Sequence, residues 1–105
     1  PFFEALLEGI EAGAPADRLA LDFHIAIAHA TARIAREICT RESLDTVALS
    51  GGVFMNRLLL QLLTRELKDA GLAVLVPHTA PVNDGCIAYG QAAIARACLA
   101  QAAPR

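Results

Sequence analysis

The chain reads as a small α/β unit in the order α-α-β-α-β-α, with a short parallel sheet. Three observations predict it. Two short apolar runs, 46–49 and 72–76, flank a leucine-periodic segment of helical length. A long stripe at helical spacing precedes them, and each run leads into a glycine-bearing loop. Two strands joined through a helix form a right-handed βαβ unit.

Phe2, Phe3, Leu6, Leu7 and Ile10 repeat at helical spacing until Gly13 and Pro15 break the pattern, giving a short helix and a turn. Asp17 then offers an N-cap. From there Leu19, Phe23, Ile27, Ala30, Ile34 and Ile38 lay one apolar stripe along a helix of about six turns. Ala20, Ala26, Ala28, Ala32 and Ala35 leave little bulk on the other faces, so this helix is expected to be approached from more than one side.

Residues 46–49 lack polar alternation, which predicts a strand buried on both faces. Phe54, Leu58, Leu59, Leu62, Leu63 and Leu67 mark the next helix, which Gly71 ends at the C′ position. Residues 72–76 make the second strand and 87–100 an alanine-rich final helix, in which Gly90 is expected to permit a close contact with another element. A two-stranded parallel sheet is too small to stand alone comfortably, because such sheets are normally covered on both faces and continued at their edges.

At 105 residues the chain holds one domain at most, burying roughly 65% of its unfolded surface. A hydrophobic fraction of 55% and a mean hydropathy of +0.45 are high for this length, yet no run approaches the ~20 apolar residues of a membrane span. The excess apolar surface is expected to meet protein, through self-association or through the rest of a longer protein. An opening at Pro1-Phe2-Phe3 without methionine favours the latter. Nine basic and eleven acidic residues, a single tyrosine and no tryptophan argue against nucleic acid as a partner. Cys39, Cys86 and Cys98 show neither a disulfide framework nor C-x-x-C zinc spacing, which suits a reduced, cytoplasmic chain.

The chemistry concentrates in two loops. Ser50-Gly51-Gly52 follows the first strand and opens a helix. Glycines let a phosphate oxygen approach the backbone, and a helix start supplies N–H groups and positive dipole. The spacing is neither G-x-G-x-x-G nor a P-loop, so an anion site and a plain tight turn both fit it. Asn83-Asp84-Gly85 follows the second strand and reads either as cap and turn or as ligand chemistry. Both loops fall after the carboxyl ends of adjacent strands, where parallel α/β folds bind ligands. A carboxylate there suits a divalent cation.

His24 and His29, five residues apart, are turned by about 140° around a helix at ~100° per residue. They point to different faces, and His24 is expected to serve a polar group at the helix surface or in a neighbouring domain. His78 lies on the ligand side. Cys86 falls in the first turn of the last helix, where the dipole favours a thiolate; no base stands near it in sequence, so a small residue at a tight helix start is the plainer reading.

The run Val47-Ala48-Leu49-Ser50-Gly51-Gly52-Val53-Phe54-Met55-Asn56, paired with Pro81-Val82-Asn83-Asp84-Gly85-Cys86-Ile87-Ala88-Tyr89-Gly90-Gln91, resembles the C-terminal part of the HypF family, the carbamoyltransferases of [NiFe]-hydrogenase maturation. The likeness extends over residues 1–105, including the Phe23-His24 helix. The related tRNA threonylcarbamoyl-transferring family shares S-G-G-V-x-x-N but has Asp-Asn-Ala at the second loop, so Asp84-Gly85 and Tyr89-Gly90-Gln91 favour HypF.

The resemblance implies a piece of an actin-like, sugar-kinase-like ATPase lobe, the C-terminal segment of a single, incomplete domain. In such proteins a separate domain makes carbamoyl-adenylate, and this one passes the carbamoyl group to the C-terminal cysteine of HypE, where it becomes a cyanide ligand. Carried over, Ser50, Gly51 and Gly52 line the ATP phosphates, Asn56 fixes that loop, Asn83 lies in the nucleotide cleft and Asp84 is a ligand of a divalent metal. Cys86 replaces a more usual glycine, and Val82 stands where a second proline is common; neither change removes a ligand. The family takes its other metal ligands, an H-x-x-x-H pair, from an earlier part of the domain, and no such pair occurs here. The expected partners are therefore the N-terminal part of the same protein and HypE. The 105 residues alone are expected to be catalytically inert, not to retain the metal, and to self-associate.

Overall fold

Leucines three and four residues apart give the helix Arg57–Asp69 a single greasy ridge, and burying that ridge organises the molecule. The computed structural model describes residues 2–78, 80 and 82–102; Pro1 and Pro81 of the sequence motifs lie outside them. In order come α1 (Phe2–Glu11), α2 (Ala16–Glu42), β1 (Thr46–Ala48), a 3₁₀ turn (Gly52–Met55), α3 (Arg57–Asp69), β2 (Ala73–Leu75), a second 3₁₀ turn (Asp84–Cys86) and α4 (Ile87–Ala102). This is the order α-α-β-α-β-α read from the sequence.

β1 and β2 pair in parallel, with Thr46 opposite Ala73, Val47 opposite Val74 and Ala48 opposite Leu75. The Leu49 N–H extends the ladder to the Leu75 carbonyl at 2.9 Å. Val47 and Val74 turn inward against a core of Ala28, Ala32, Leu49, Leu59, Leu63 and Leu67. Burying a leucine such as Leu63 or Leu67 contributes about 1.5–3 kcal/mol. Val74 and Val76 join the rim of that core, but Thr46, Ala48, Ala73 and Leu75 are exposed. The expectation of burial on both faces therefore fails, because the helices of the core cover one face of the sheet only.

α2 corrects a second expectation. The residues it buries are Ala28, Ala32 and Cys39, whereas Ile34 of the predicted stripe is 53% exposed and Ile38 42%. At 100° per residue the alanine face lies roughly 110° around the helix from the isoleucine face. Small residues let α3 approach closely, so its leucines occupy the alanine side and leave the isoleucines open. Only the first part of the stripe is covered: Phe2 of α1 packs on Phe23, ring centroids 5.6 Å apart. A Cβ on Gly9 would come within 2.7 Å of Leu19 Cδ2, so the glycine leaves room for the Leu19 side chain where α1 lies on α2.

Asp17 does not cap α2. The N-cap is Pro15, without a side-chain bond; its carbonyl accepts the Leu19 N–H at 3.1 Å. The proline's fixed φ already suits a helix entry, so helical geometry begins before Asp17 is reached. Gly71 behaves as expected. Its φ of +80° follows the C-cap Ala70, its N–H reaches the Lys68 carbonyl, and the Leu72 N–H reaches that of Leu67 at 3.0 Å, the paired bonds of a Schellman motif.

α4 leaves the body. Its side chains are exposed, Tyr89 and Leu99 among them, and it packs chiefly on the Asp84–Cys86 turn. A Cβ built on Gly90 meets nothing within 4 Å, so the close contact expected there is not made within the described residues. The radius of gyration is 19.0 Å and the extents are 72 × 31 × 19 Å; a closed domain of this length measures about 13 Å in radius.

Candidate functional site

β1 delivers its carboxyl end into the glycine pair. Gly51 has φ 114° and ψ 156°, a region essentially restricted to glycine. Both its backbone groups are engaged: the N–H donates to the Val82 carbonyl at 2.8 Å, and the carbonyl accepts the Phe54 N–H at 3.0 Å. The first of these bonds ties the glycine loop to the segment that leads from β2 toward Asn83. The two loops the sequence placed at adjacent strand ends are thus joined by a backbone hydrogen bond.

Gly52 differs from its neighbour. It has no positive φ, and a Cβ there would lie 3.9 Å from the Asn83 Cβ, ordinary contact distance. Neither strain nor crowding within the described residues calls for glycine. The N–H groups of Gly52 and Val53 also have no hydrogen-bond partner among the described residues. Two free donors beside a surface without a side chain form a site that an anion could enter.

The donors do not come from the helix start the sequence suggested. The 3₁₀ turn that Gly52 opens stands between Gly51 and α3, whose N-cap is Asn56; its Oδ1 accepts the Leu59 N–H at 3.1 Å. The cap takes up the Leu59 N–H alone, and the N–H groups nearest in sequence to the glycine pair belong to the 3₁₀ turn, so the phosphate argument centres on that turn. Asn56 also takes part in a longer-range contact, its Nδ2 lying 2.8 Å from His24 Nε2.

Asn83 bridges the loops. Its Oδ1 accepts the Gly85 N–H at 3.1 Å, and its Nδ2 donates to Met55 Sδ at 3.3 Å. Asp84 is exposed at the start of the second 3₁₀ turn. Cys86 lies in that turn, ahead of α4 and not inside its first turn, and its N–H goes to the Asn83 carbonyl at 3.0 Å. Ser50 is exposed beside Gly51. His78 lines a groove along α3 with Leu60, Gln61 and Thr64.

His24 and His29 reach different partners, one at the N-cap of α3 and one within that helix. His29 Nδ1 lies 3.3 Å from Glu66 Oε1 on α3, both well exposed, whereas His24 turns to Asn56. No group of three His, Cys, Asp or Glu able to hold a metal occurs among the described residues. No described helix is long and apolar enough to cross a membrane. Met55 and the Val82 carbonyl were not legible as site members: a thioether acceptor and a backbone oxygen carry no sequence signal.

A helix-rich α/β piece presenting two hydrogen-bonded loops from the carboxyl ends of paired strands is the class that fold and site define. A family model described as "Carbamoyltransferase, Kae1-like Domain, second subdomain" matches residues 1–91, which include both loops. The chain is 40% identical over 96 residues to carbamoyltransferase HypF of Rhizobium leguminosarum bv. viciae, covering 90% of this chain and 13% of that protein. It is 37% identical over 92 residues to the HypF of Rhodobacter capsulatus, covering 88% and 12%. Among solved structures it matches full-length HypF in a phosphate- and nucleotide-bound form with a TM-score of 0.83 at 33% identity, over 92% of this chain and 13% of that one. The HypF of T. kodakarensis matches with 0.76 at 34% identity, over 90% and 12%. The chain belongs to the HypF carbamoyltransferase family. It spans about an eighth of the length of the relatives it matches.

Proposed function

We propose that this chain supplies one wall of the nucleotide cleft in a HypF-type carbamoyltransferase of actin-like ATPase fold, which uses carbamoyl phosphate and ATP to carbamoylate the C-terminal cysteine of HypE. The observation that carries the reading is the Gly51–Val82 backbone bond, which holds the open Gly52 surface beside Asn83. Phosphate fits this wall: the Gly52 and Val53 N–H groups have no hydrogen-bond partner among the described residues, and the absence of a side chain at Gly52 lets an oxygen reach them. When bound, the nucleotide supplies the polyanion that these donors hold. The relative solved with phosphate and nucleotide supports the same reading.

A metal fits less completely. Asp84 is one exposed carboxylate, and a divalent cation needs several oxygen ligands. Asp84 therefore acts as a single ligand completed by groups from another part of the protein. The extended shape and one-sided sheet favour the same conclusion, that the 105 residues are an incomplete, inactive portion of one domain, with the preceding part of the protein as its partner.

The test is carbamoyl transfer to HypE by the full-length protein. Gly52→Asp places a carboxylate where a phosphate oxygen sits, and Asp84→Ala removes the metal ligand; each is expected to abolish transfer without lowering the yield of folded protein. Unchanged transfer in both variants would sink the assignment. The other reading, a nucleotide module that works alone, predicts saturable binding of ATP with magnesium to the isolated chain below millimolar concentration; the incomplete cleft proposed here predicts none.

A further inference from the structure

We infer that His24 is a positioning residue for the glycine loop, acting through Asn56; this rests on the nucleotide-cleft reading. The hydrogen bonds fix each group in turn. Asn56 Oδ1 is committed to the Leu59 N–H at the start of α3, so the amide's NH₂ faces His24 and must donate. His24 Nε2, 2.8 Å away, is then the acceptor. A neutral imidazole that accepts at Nε2 carries its proton on Nδ1, and Nδ1 lies 2.6 Å from the Ala20 carbonyl, one turn back on α2. Helix cap, amide orientation and tautomer are mutually consistent and leave no alternative assignment with all three bonds made.

The relay ends at the site. Asn56 closes the 3₁₀ turn that Gly52 opens, its own N–H reaching the Val53 carbonyl at 3.1 Å, while Met55, the residue before it, holds Asn83. Anchoring the Asn56 side chain to α2 therefore sets where the turn carrying the Gly52 and Val53 donors stands. α2 runs for 27 residues and is seated on α3 through its alanine face, so it is a firm reference. His24 touches no reacting group on this reading; it aims the loop that does.

Two substitutions separate this role from a general packing role. Glutamine places an acceptor at the reach of Nε2, whereas asparagine reproduces only the Nδ1 position and falls short of Asn56. In full-length protein, His24→Asn is expected to lower kcat/KM for HypE carbamoylation about fivefold, the size of one ordinary hydrogen bond. His24→Gln is expected to stay within about twofold of wild type on the same grounds. In an Asn56→Ser background, which keeps a helix cap but cannot reach His24, His24→Asn is expected to add nothing. Equal activities for the Gln and Asn variants, or additive losses in the double variant, would overturn the inference. Gly52→Asp in the same assay keeps the two ideas apart. If it has no effect, the site itself is misassigned; if it abolishes transfer while both position-24 variants match wild type, only the role of His24 falls.

Discussion

Gly51 and Val82 are joined by an N–H···O bond of 2.8 Å across the carboxyl ends of two parallel strands. That bond makes one site from two loops thirty residues apart in sequence. It also divides the labour of the glycine pair: Gly51 carries the unusual backbone, and Gly52 carries the open surface.

Alanine substitution should expose this division. Gly51→Ala forces a Cβ into φ 114°, ψ 156°, at a cost of about 1–3 kcal/mol. A lower melting temperature of the full-length protein's corresponding transition is the expected result. Gly52→Ala meets only the Asn83 Cβ at 3.9 Å and should leave that transition within about 0.5 kcal/mol, while weakening carbamoyl transfer by narrowing the phosphate approach. Equal melting shifts in the two variants would contradict the distinction.

The core predicts a graded response. Leu63 is 1% exposed and faces the alanines of α2, so Leu63→Ala should cost about 2–5 kcal/mol. Leu58 belongs to the same sequence stripe yet is 39% exposed; Leu58→Ala should cost clearly less in the same denaturation measurement. Ala32→Leu should be harmful too, by about 1–3 kcal/mol, because the alanine is what lets α3 sit close. If Ala32→Leu were neutral, the alanine face would not be the true contact.

Much of this fold was legible because its signals are local. Gly71, one residue past the last leucine turn, could be assigned to a C′ position from its own chemistry, and both strands were marked by short apolar runs. The buried face of α2 was not legible, since an isoleucine stripe and an alanine face can each serve a core and the choice belongs to α3. Two-sided burial of the strands failed for a related reason: Val47 and Leu75 are both apolar, but only one face of the sheet receives helices. At the site, Ser50-Gly51-Gly52 and Asn83-Asp84-Gly85 were visible by composition and by place after the strands. The His24–Asn56 contact was not, because nothing near either residue names a partner 32 positions away.

The Schellman end of α3 offers a separate check on the βαβ geometry. Gly71 at φ +80° sets the direction in which the chain turns into β2. Gly71→Ala is expected to lose about 1–2 kcal/mol, the penalty for a side chain in left-handed backbone. Gly71→Asn should recover part of that loss, since asparagine tolerates the region better. Urea denaturation of the three proteins decides it; alanine and asparagine of equal stability would mean that the turn does not hold this conformation in solution.

The isolated 105 residues should associate. Ile34 and Ile38 open one side of α2, Leu75 lies 60% exposed on the uncovered face of the sheet, and among the described residues no further strand pairs with the outer edges of β1 and β2, edges that seek pairing. Separate apolar side chains on a surface are ordinary, but an apolar helix side together with a bare sheet face exceeds what a monomer usually shows. Sedimentation of the isolated chain is expected to give species larger than a monomer, dispersing in mild urea before the helices melt. Ile34→Lys with Leu75→Lys places charge on both surfaces and should shift the distribution toward monomer. If the unsubstituted chain sediments as a clean monomer, these faces are tolerated in water and their exposure gives no argument for a covering segment.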